Sequence, residues 1–483
     1  MRANMVVRES PVLSYLTHDQ LDAIHNATLE LLATTGVQIL QEEALELLKA
    51  AGAIIKPNNI VKIPEVLVKN ALQTAPSRIV MSNRLGKRCL FLEPGRSYFG
   101  TGSGCPNTID IYSQERRRTT GEDVANVARL CDCLPNIDFV MDLGLVEDKY
   151  PDLGYIYGFE AMARNTTKPI ISSCANGRNA QDIIDLAAVI VGGHDQLREK
   201  TLIAIYSEAT APLRHAQDAL EKLLVCAKNW VPVIHTIGSL AGASAPVTLA
   251  GALVTGNAEV LSALVIHQLK QPGAPFFHGG TITPIDMKTM VHPYGAPEFH
   301  VASACLTEMG RYYRLPVFST GGCTDAKMFD EQASAEAAYS LLLEALAGGN
   351  LIHDIGYIDS GLTSDLSTIC FSDEMIGLIK HVVCPVAVDE EHLALDAAQR
   401  VGPGGHFLKD PHTFKYFRNV FSPKLLVRDR YEIWEEKGRQ TLGQAVRQKV
   451  IDLLESHRCE PFSEQVEKSF GDLISTIENR IKG

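Results

Sequence analysis

The sequence predicts an α/β chain built on a (β/α)8 TIM barrel, with a helical and hairpin addition before it and a helical addition after it. Three observations carry that prediction. Between Tyr98 and Tyr357 one unit repeats eight times: a short apolar run ending in small or polar residues, then a stretch with helical spacing. The runs carry nearly continuous Ile, Val, Leu and Phe, as strands covered on both faces do. Finally, Gly100, Gly102 and Gly104 lack a sixth-position glycine and lead into Pro106 and Asn107, so the phosphate turn of an open dinucleotide-binding sheet is missing.

The elements follow in order. Residues 1–97 read as a cap. Thr17 and Gln20 form a capping box, Leu21, Ile24, Leu31 and Leu32 share one helix face, and Gly36 stops it. A second helix over 43–51 stops at Gly52, and Pro64 starts a third through Leu72. Ile79, Met81, Cys89 and Phe91 then alternate around a turn at 83–87, which predicts a hairpin. The barrel occupies 98–383. Its strands are expected at 98–103, 137–142, 169–174, 202–207, 232–237, 275–279, 316–320 and 351–356. Its helices are expected at 121–134, 154–164, 180–191, 215–230, 247–269, 297–313, 330–347 and 373–383, each with an apolar stripe. The remainder, 384–483, reads as amphipathic helices at 389–400, 411–417, 430–438 and 442–456, interrupted by the glycine- and proline-rich 401–408.

Composition narrows the function. Hydrophobic residues make up 46% and charged residues 21%, ordinary for a globular enzyme. The 45 basic and 57 acidic residues give −12, which argues against nucleic acid, whose binding needs clustered Lys and Arg. Arg116, Arg117 and Arg118 form the only basic triplet and read as preceding a helix. Apolar runs break before the roughly 18 residues of a membrane span. Residues 1–10 lack an apolar core segment, so a cytoplasmic protein is expected. The eleven scattered cysteines fit free thiols, and Cys131 with Cys133 lacks the second pair a zinc site needs.

A barrel keeps its chemistry at the strand C-termini, which selects the candidates. His353 and Asp354 end the eighth run, with Tyr357 just beyond. Two polar groups inside an apolar strand need a purpose, since an unpaired buried one costs about 1–3 kcal/mol. Tyr206 and Glu208 close the fourth run. Phe277 and His278 precede Gly279 and Gly280, where a ligand can approach the backbone, as it can at Gly321 and Gly322. Tyr98 and Phe99 open the first run, and Tyr155 and Tyr157 follow the second.

Several segments resemble the trimethylamine methyltransferase superfamily of corrinoid-dependent barrels. They are Leu21 to Gly36, Tyr98 to Ser103 (Tyr-Phe-Gly-Thr-Gly-Ser), Pro316 to Lys327, Asp330 to Gly349, Gly356 to Thr363, and Val401 to Leu408 (Val-Gly-Pro-Gly-Gly-His-Phe-Leu). Founding members carry pyrrolysine, whereas this chain has only the ordinary twenty residues. It therefore resembles the pyrrolysine-free branch, whose characterised members demethylate quaternary amines. The resemblance implies that glycine betaine, or else proline betaine or carnitine, gives a methyl group to the Co(I) corrinoid of a separate carrier protein, leaving dimethylglycine in the first case.

Chemistry agrees with that shift. A quaternary ammonium is already cationic and leaves as a neutral amine, so the protein must orient and desolvate it, with no proton donor required. On this reading Glu208, His353 and Asp354 are the catalytic candidates. Tyr98, Phe99, Tyr206, Glu208, Phe277, His278, His353 and Tyr357 would bind substrate through charge and aromatic faces, each cation–π contact contributing about 0.5–2 kcal/mol. Gly279, Gly280, Gly321 and Gly322 would face the cofactor, and His278, His353, Ser103 and the glycine amides would meet a betaine carboxylate. No bound metal, nucleic acid or membrane is expected, and a homo-oligomer is possible. Two rivals stand beside this: a zinc-dependent methyltransferase using Cys174, His278 and Cys323, and a betaine-binding barrel without catalysis.

Overall fold

The computed structural model describes residues 11–482. Seven parallel strands form one curled sheet: Tyr98–Thr101, Ile170–Ser172, Ile203–Glu208, Val233–Thr236, Phe276–Gly279, Val317–Thr320 and Leu351–Ile355. Neighbours follow chain order, and the last strand pairs with the first. The predicted run at 137–142 lies across the remaining gap: Phe139 bridges Gly100, and Val140 bridges Ile170. The Val140 N–H donates to Pro169 O and the Ile171 N–H donates to Val140 O, both at 3.0 Å. All eight runs thus line one wall, and the barrel architecture is as the repeat predicts.

The crossover helices begin and end within a few residues of their predicted bounds, with one exception. The helix expected from 373 spans Leu366–Val382, because Asp365 caps it by accepting the Ser367 and Thr368 N–H groups. The most apolar helix, Leu249–Lys270, has the length and composition of a membrane span, yet 78% of its apolar window is buried. It packs between the barrel and the helices His18–Thr34 and Glu65–Thr74, which explains why it is apolar all round.

Those two N-terminal helices start where predicted: Thr17 and Gln20 form the capping box, and Pro64 is the N-cap of the other. The stretch before residue 75 is not purely helical, however. Val37–Ile39, Ile54–Lys56 and Ile60–Lys62 form a small sheet whose edge pairs with Arg214–His215. Such three-residue strands carry too short a period to register in the sequence.

The predicted hairpin, Ile79–Ser82 with Arg88–Leu92, closes the N-terminal end of the barrel. Its Ser82 and Arg84 N–H groups donate to Thr201 O and Thr167 O, just ahead of two barrel strands. Its Met81, Leu90 and Leu92 pack with Phe139, Ile171, Ile234, Phe277, Phe318 and Leu351 into one interior cluster. The barrel floor is therefore filled, and only the opposite end remains as a mouth.

At that mouth, strand pairing continues beyond the wall. Gly238–Ala241 pairs in parallel with Thr281–Pro284, and Asn107–Ile109, Arg116–Arg118, Tyr357–Ile358 and Thr363–Ser364 make a further small sheet. The arginine triplet is an edge strand ahead of the Gly121–Cys133 helix, and Arg117 spans Asp110 and Asp123. All eleven cysteines are free.

Candidate functional site

The residues at the mouth are placed by alternation along the strands. In Ile203–Glu208, Tyr206 shares the inward face with Ala204, and that parity continues to Glu208. The Tyr206 hydroxyl donates to Glu208 Oε2 at 3.3 Å and accepts from the Thr236 hydroxyl at 3.1 Å. Its ring lies 6.1 Å from Phe318, and Phe318 stacks on the His353 imidazole at 3.9 Å.

His353 and Asp354 are neighbours in sequence, so in a regular strand they would face opposite sides. Here the register slips between Ile352 and Ile355, and Asp354 takes a φ of 78°, a left-handed conformation uncommon for a side-chain-bearing residue. The bulge brings the two side chains together, with His353 Nε2 3.1 Å from Asp354 Oδ1. His353 Nδ1 lies 2.8 Å from Ser319 O, which can only accept, so Nδ1 carries the proton and Nε2 offers a lone pair.

Burial pushes the His353 pKa down to about 4. Burial, with the charge of Glu208 adding to it, pushes Asp354 up to about 8. Near neutral pH the pair is therefore an uncharged imidazole accepting from a carboxylic acid. Burial likewise raises Glu208, with the ammonium of Lys222 acting in the opposite direction. Glu208 nonetheless keeps exposed surface. Both hold for a carboxylate lining a water-accessible recess walled by protein.

Aromatic rings form the other side. Tyr294 stacks parallel on Tyr357 at 6.2 Å and on Phe299 at 5.0 Å. Burial raises both tyrosines well above the ordinary value, with Asp354 the next cause for each. The loop carrying Tyr294 is pinned by Asp325, which accepts the Tyr294 and Gly295 N–H groups at 2.8 Å and the Ser360 hydroxyl at 2.7 Å. Gly102 leaves room for this assembly: a Cβ there would sit 2.5 Å from Tyr357 Cζ and 2.8 Å from Asp354 Oδ1. The buried Thr320 hydroxyl at a strand end faces Asp354 and favours its ionised form, against the burial that raises it.

Of the sequence candidates, Tyr206, Glu208, His353, Asp354 and Tyr357 come together. The others do not reach the recess. Tyr98 lies at the floor, its hydroxyl accepting the Phe91 N–H of the hairpin. Phe99 faces the helix layer beneath Lys380, because alternation turns it outward. Phe277 fills the interior cluster below the mouth. His278 also points outward, donating from Nε2 to Asn257 Oδ1 at 3.0 Å beside Tyr313, and is a core histidine.

The four glycines are packing positions with no free space for a ligand. A Cβ at Gly279 would strike the Phe318 carbonyl, and one at Gly280 the Ile237 backbone. At Gly321 it would meet Ile352 and Ser340, and at Gly322 it would meet Ile355 and Leu341. Tyr157 is buried in the helix layer, its hydroxyl donating to Glu478 of the last helix, whereas Tyr155 is half-buried near Asp142, whose pKa burial raises to about 7. The Ser103 N–H donates to the Tyr357 hydroxyl. The zinc ligand set does not assemble either, since His278 is turned into the helix layer. Among the described residues no group of three or more His, Cys, Asp or Glu side chains is arranged to hold a metal ion.

Tyr294, Thr236 and Asp325 were not singled out by sequence, and Gly102 was weighed only for a phosphate turn. Tyr294 alone gave a readable signal: a tyrosine between Pro293 and Gly295 on a loop entering a helix.

Comparison with known proteins agrees over the whole chain. A family model described as "Trimethylamine methyltransferase (MTTB)" matches residues 1–481. The chain is 35% identical to trimethylamine methyltransferase MttB of Desulfitobacterium hafniense, over 97% of this chain and 94% of that one. It is 31% identical to MttB of Methanosarcina barkeri over 98% and 96%. A glycine betaine methyltransferase of Desulfitobacterium hafniense is 28% identical over 90% and 91%. Among solved structures, the Methanosarcina barkeri monomethylamine methyltransferase superposes with a TM-score of 0.54, covering 97% of this chain and 88% of that one at 11% identity, a likeness of fold.

Proposed function

The chain belongs to the trimethylamine methyltransferase family and is a methyltransferase, and from that premise we propose that it removes a methyl group from a quaternary amine held in the recess. The observation that carries the proposal is the pairing of two carboxyl groups, Glu208 and Asp354, with the rings of Tyr206, Tyr294 and Tyr357 at one barrel mouth. A methylated ammonium donates no strong hydrogen bond, so its recognition rests on aromatic faces and negative charge.

In this reading Glu208 supplies a field charge beside the ammonium, and Tyr206 holds Glu208 in place. Tyr294 and Tyr357 form the aromatic wall that excludes water from the carbon being transferred. Asp354 ionises when the cation enters, and its proton leaves to solvent. His353, fixed by Ser319, keeps Asp354 turned inward. A corrinoid delivered by a carrier protein would supply the nucleophile for the methyl group. Val247, Met287, Met290 and Met328 stand exposed on loops that follow the strands, soft apolar side chains that would suit a flat macrocycle. We assign this chemistry to the cytoplasm, where the eleven thiols stay reduced.

Glycine betaine heads the list of substrates, supported by the betaine-acting relative. Its carboxylate would be met by Lys222, the cation acting on Glu208. One observation favours a second reading, a tertiary amine such as trimethylamine. Asp354 is a carboxylic acid near neutral pH, and a tertiary amine needs a proton before it can leave neutral.

Calorimetry with glycine betaine, proline betaine, carnitine, tetramethylammonium and trimethylamine tests the proposal. A quaternary amine that saturates the site, and ceases to do so in Glu208→Gln, is the expected result. No binding by any quaternary amine would remove the reading.

A further inference from the structure

The fifth strand run leads into a glycine that the backbone itself does not call for. Val233–Thr236 and Gly238–Ala241 continue one another, and alternation places Ile234, Thr236 and Gly238 on the inward face while Ile237 joins the outer core. Ile234 belongs to the filled interior, the Thr236 hydroxyl donates to that of Tyr206, and Gly238 comes next towards the mouth. Gly238 pairs in parallel with Thr281, and its φ is not positive, so this backbone would suit any residue. A glycine inside a strand weakens it. Where the backbone does not require one, the close approach of another group supplies the reason.

The approaching group is the Glu208 carboxylate. A Cβ at Gly238 would overlap Glu208 Oε1 and lie 3.2 Å from its Cδ; chain neighbours aside, nothing else among the described residues comes within 4 Å. The backbone cannot draw back to make room. The Thr281 N–H donates to Ile237 O at 2.7 Å, Gly280 lies against the Ile237 backbone, and the buried Ile237 side chain lies against Gly256. The other carboxylate oxygen, Oε2, accepts from the Tyr206 hydroxyl at 3.3 Å. Glu208 is thus placed at both oxygens, one by a hydrogen bond and one by a space that only glycine leaves. Its side chain can swing aside, so a methyl group at this position would disturb the fold little and the site directly.

We propose that Gly238 is a positioning residue of this site: its bare Cα seats the Glu208 carboxylate and so fixes where the negative charge stands relative to the bound ammonium. The proposal rests on the reading of Glu208 as the counter-charge and goes beyond it by identifying what sets the reach of that carboxylate. Attraction between two charges falls with their separation and is only weakly screened in a walled recess, so a displacement by the width of a methyl group is felt in affinity.

Calorimetric titration with glycine betaine and with tetramethylammonium tests this on Gly238→Ala, Glu208→Asp and the two combined, with thermal unfolding read in parallel. Gly238→Ala should weaken amine binding at least tenfold while the melting temperature holds or rises, because alanine in a compatible backbone restricts the unfolded chain. Glu208→Asp shortens the side chain by one methylene. Alone, it leaves the seat unfilled and should weaken binding; added to Gly238→Ala, it draws the carboxylate clear of the new methyl group and should tighten binding several-fold. A glycine with a merely structural role would not reverse the sign of the Glu208→Asp effect. A crystal structure of Gly238→Ala, which needs no amine, should show the Glu208 carboxylate displaced and its Tyr206 hydrogen bond lost. Wild-type affinity in Gly238→Ala, or an equal Glu208→Asp loss in both backgrounds, overturns the proposal and leaves the amine reading standing. That reading falls instead if the wild type binds no quaternary amine, and an unmoved Glu208 in the crystal structure then removes the seat as well.

Discussion

The imidazole of His353 and the carboxyl of Asp354, consecutive in one strand, meet at 3.1 Å inside the barrel because the strand bulges between them. Asp354 holds a left-handed φ of 78° to do so. Strain of this kind costs on the order of 1–3 kcal/mol and persists where the surroundings over-determine it. Its effect is to turn an otherwise outward carboxyl towards Glu208 and Tyr357.

Amine binding should be linked to proton release. Asp354 is held up at about 8 by burial and by Glu208, and a bound cation favours its ionised form. Affinity for a quaternary amine should therefore rise with pH between about 6 and 8 and level off above. Calorimetry in buffers of different ionisation enthalpy should find close to one proton released per amine at pH 7. A pH-independent affinity with no proton release would remove Asp354 from the ammonium site.

Asp354→Asn should stabilise the fold while weakening function. A carboxyl whose folded pKa lies above its unfolded one contributes stability below about pH 4 and loses it as pH rises through about 8. An amide escapes that loss, and its N–H still donates to His353 Nε2. The melting temperature at pH 8 should rise by a few degrees, about 1 °C per kcal/mol gained for a chain of this length. Amine affinity should fall at least tenfold.

Gly102→Ala should damage the site without touching substrate. Its Cβ would displace Tyr357 and Asp354 together. A loss of about 1–3 kcal/mol in stability is expected from overpacking. Denaturant unfolding and amine titration should both register it, whereas Gly471→Ala, in the Glu464–Lys482 helix with nothing within 4 Å of its Cβ, should lower neither stability nor amine binding.

The aromatic wall should be worth a measurable fraction of affinity. Tyr294→Leu keeps bulk but loses the ring face, and should weaken amine binding by about 0.5–2 kcal/mol, some 2- to 30-fold. Tyr294→Phe should stay near wild type, since no hydroxyl hydrogen bond is assigned to it. Equal losses in both variants would point to packing in place of a cation contact.

Much of this was legible in the sequence, and the limits have physical causes. The eight runs are continuous in apolar residues, so the barrel announces itself even where 137–142 bonds only through single bridges. Tyr206 and Glu208 follow from strand alternation alone. His353 and Asp354 stand out as polar residues in an apolar strand, but the bulge that joins them is a backbone event with no side-chain signature. Parity also explains the misplaced residues: Phe99 and His278 lie one position off the inward face, and a strand end does not say which face is inward. Gly279 and Gly280 look like ligand clearances but serve the neighbouring backbone. Tyr294 belongs to a loop, and only tertiary packing through Asp325 brings it to Tyr357.

The central claim is methyl transfer from an amine held at this recess, and one measurement tests it most directly. The full chain, a reduced corrinoid carrier protein and each amine of the panel are mixed, and the Co(I) absorbance is followed with the demethylated amine quantified alongside. Loss of Co(I) matched one-for-one by demethylated product with at least one quaternary amine, and slowed at least a hundredfold in Glu208→Gln, is the predicted result. Unchanged Co(I) absorbance with every quaternary amine would contradict the account, and turnover confined to trimethylamine would transfer it to the tertiary-amine reading.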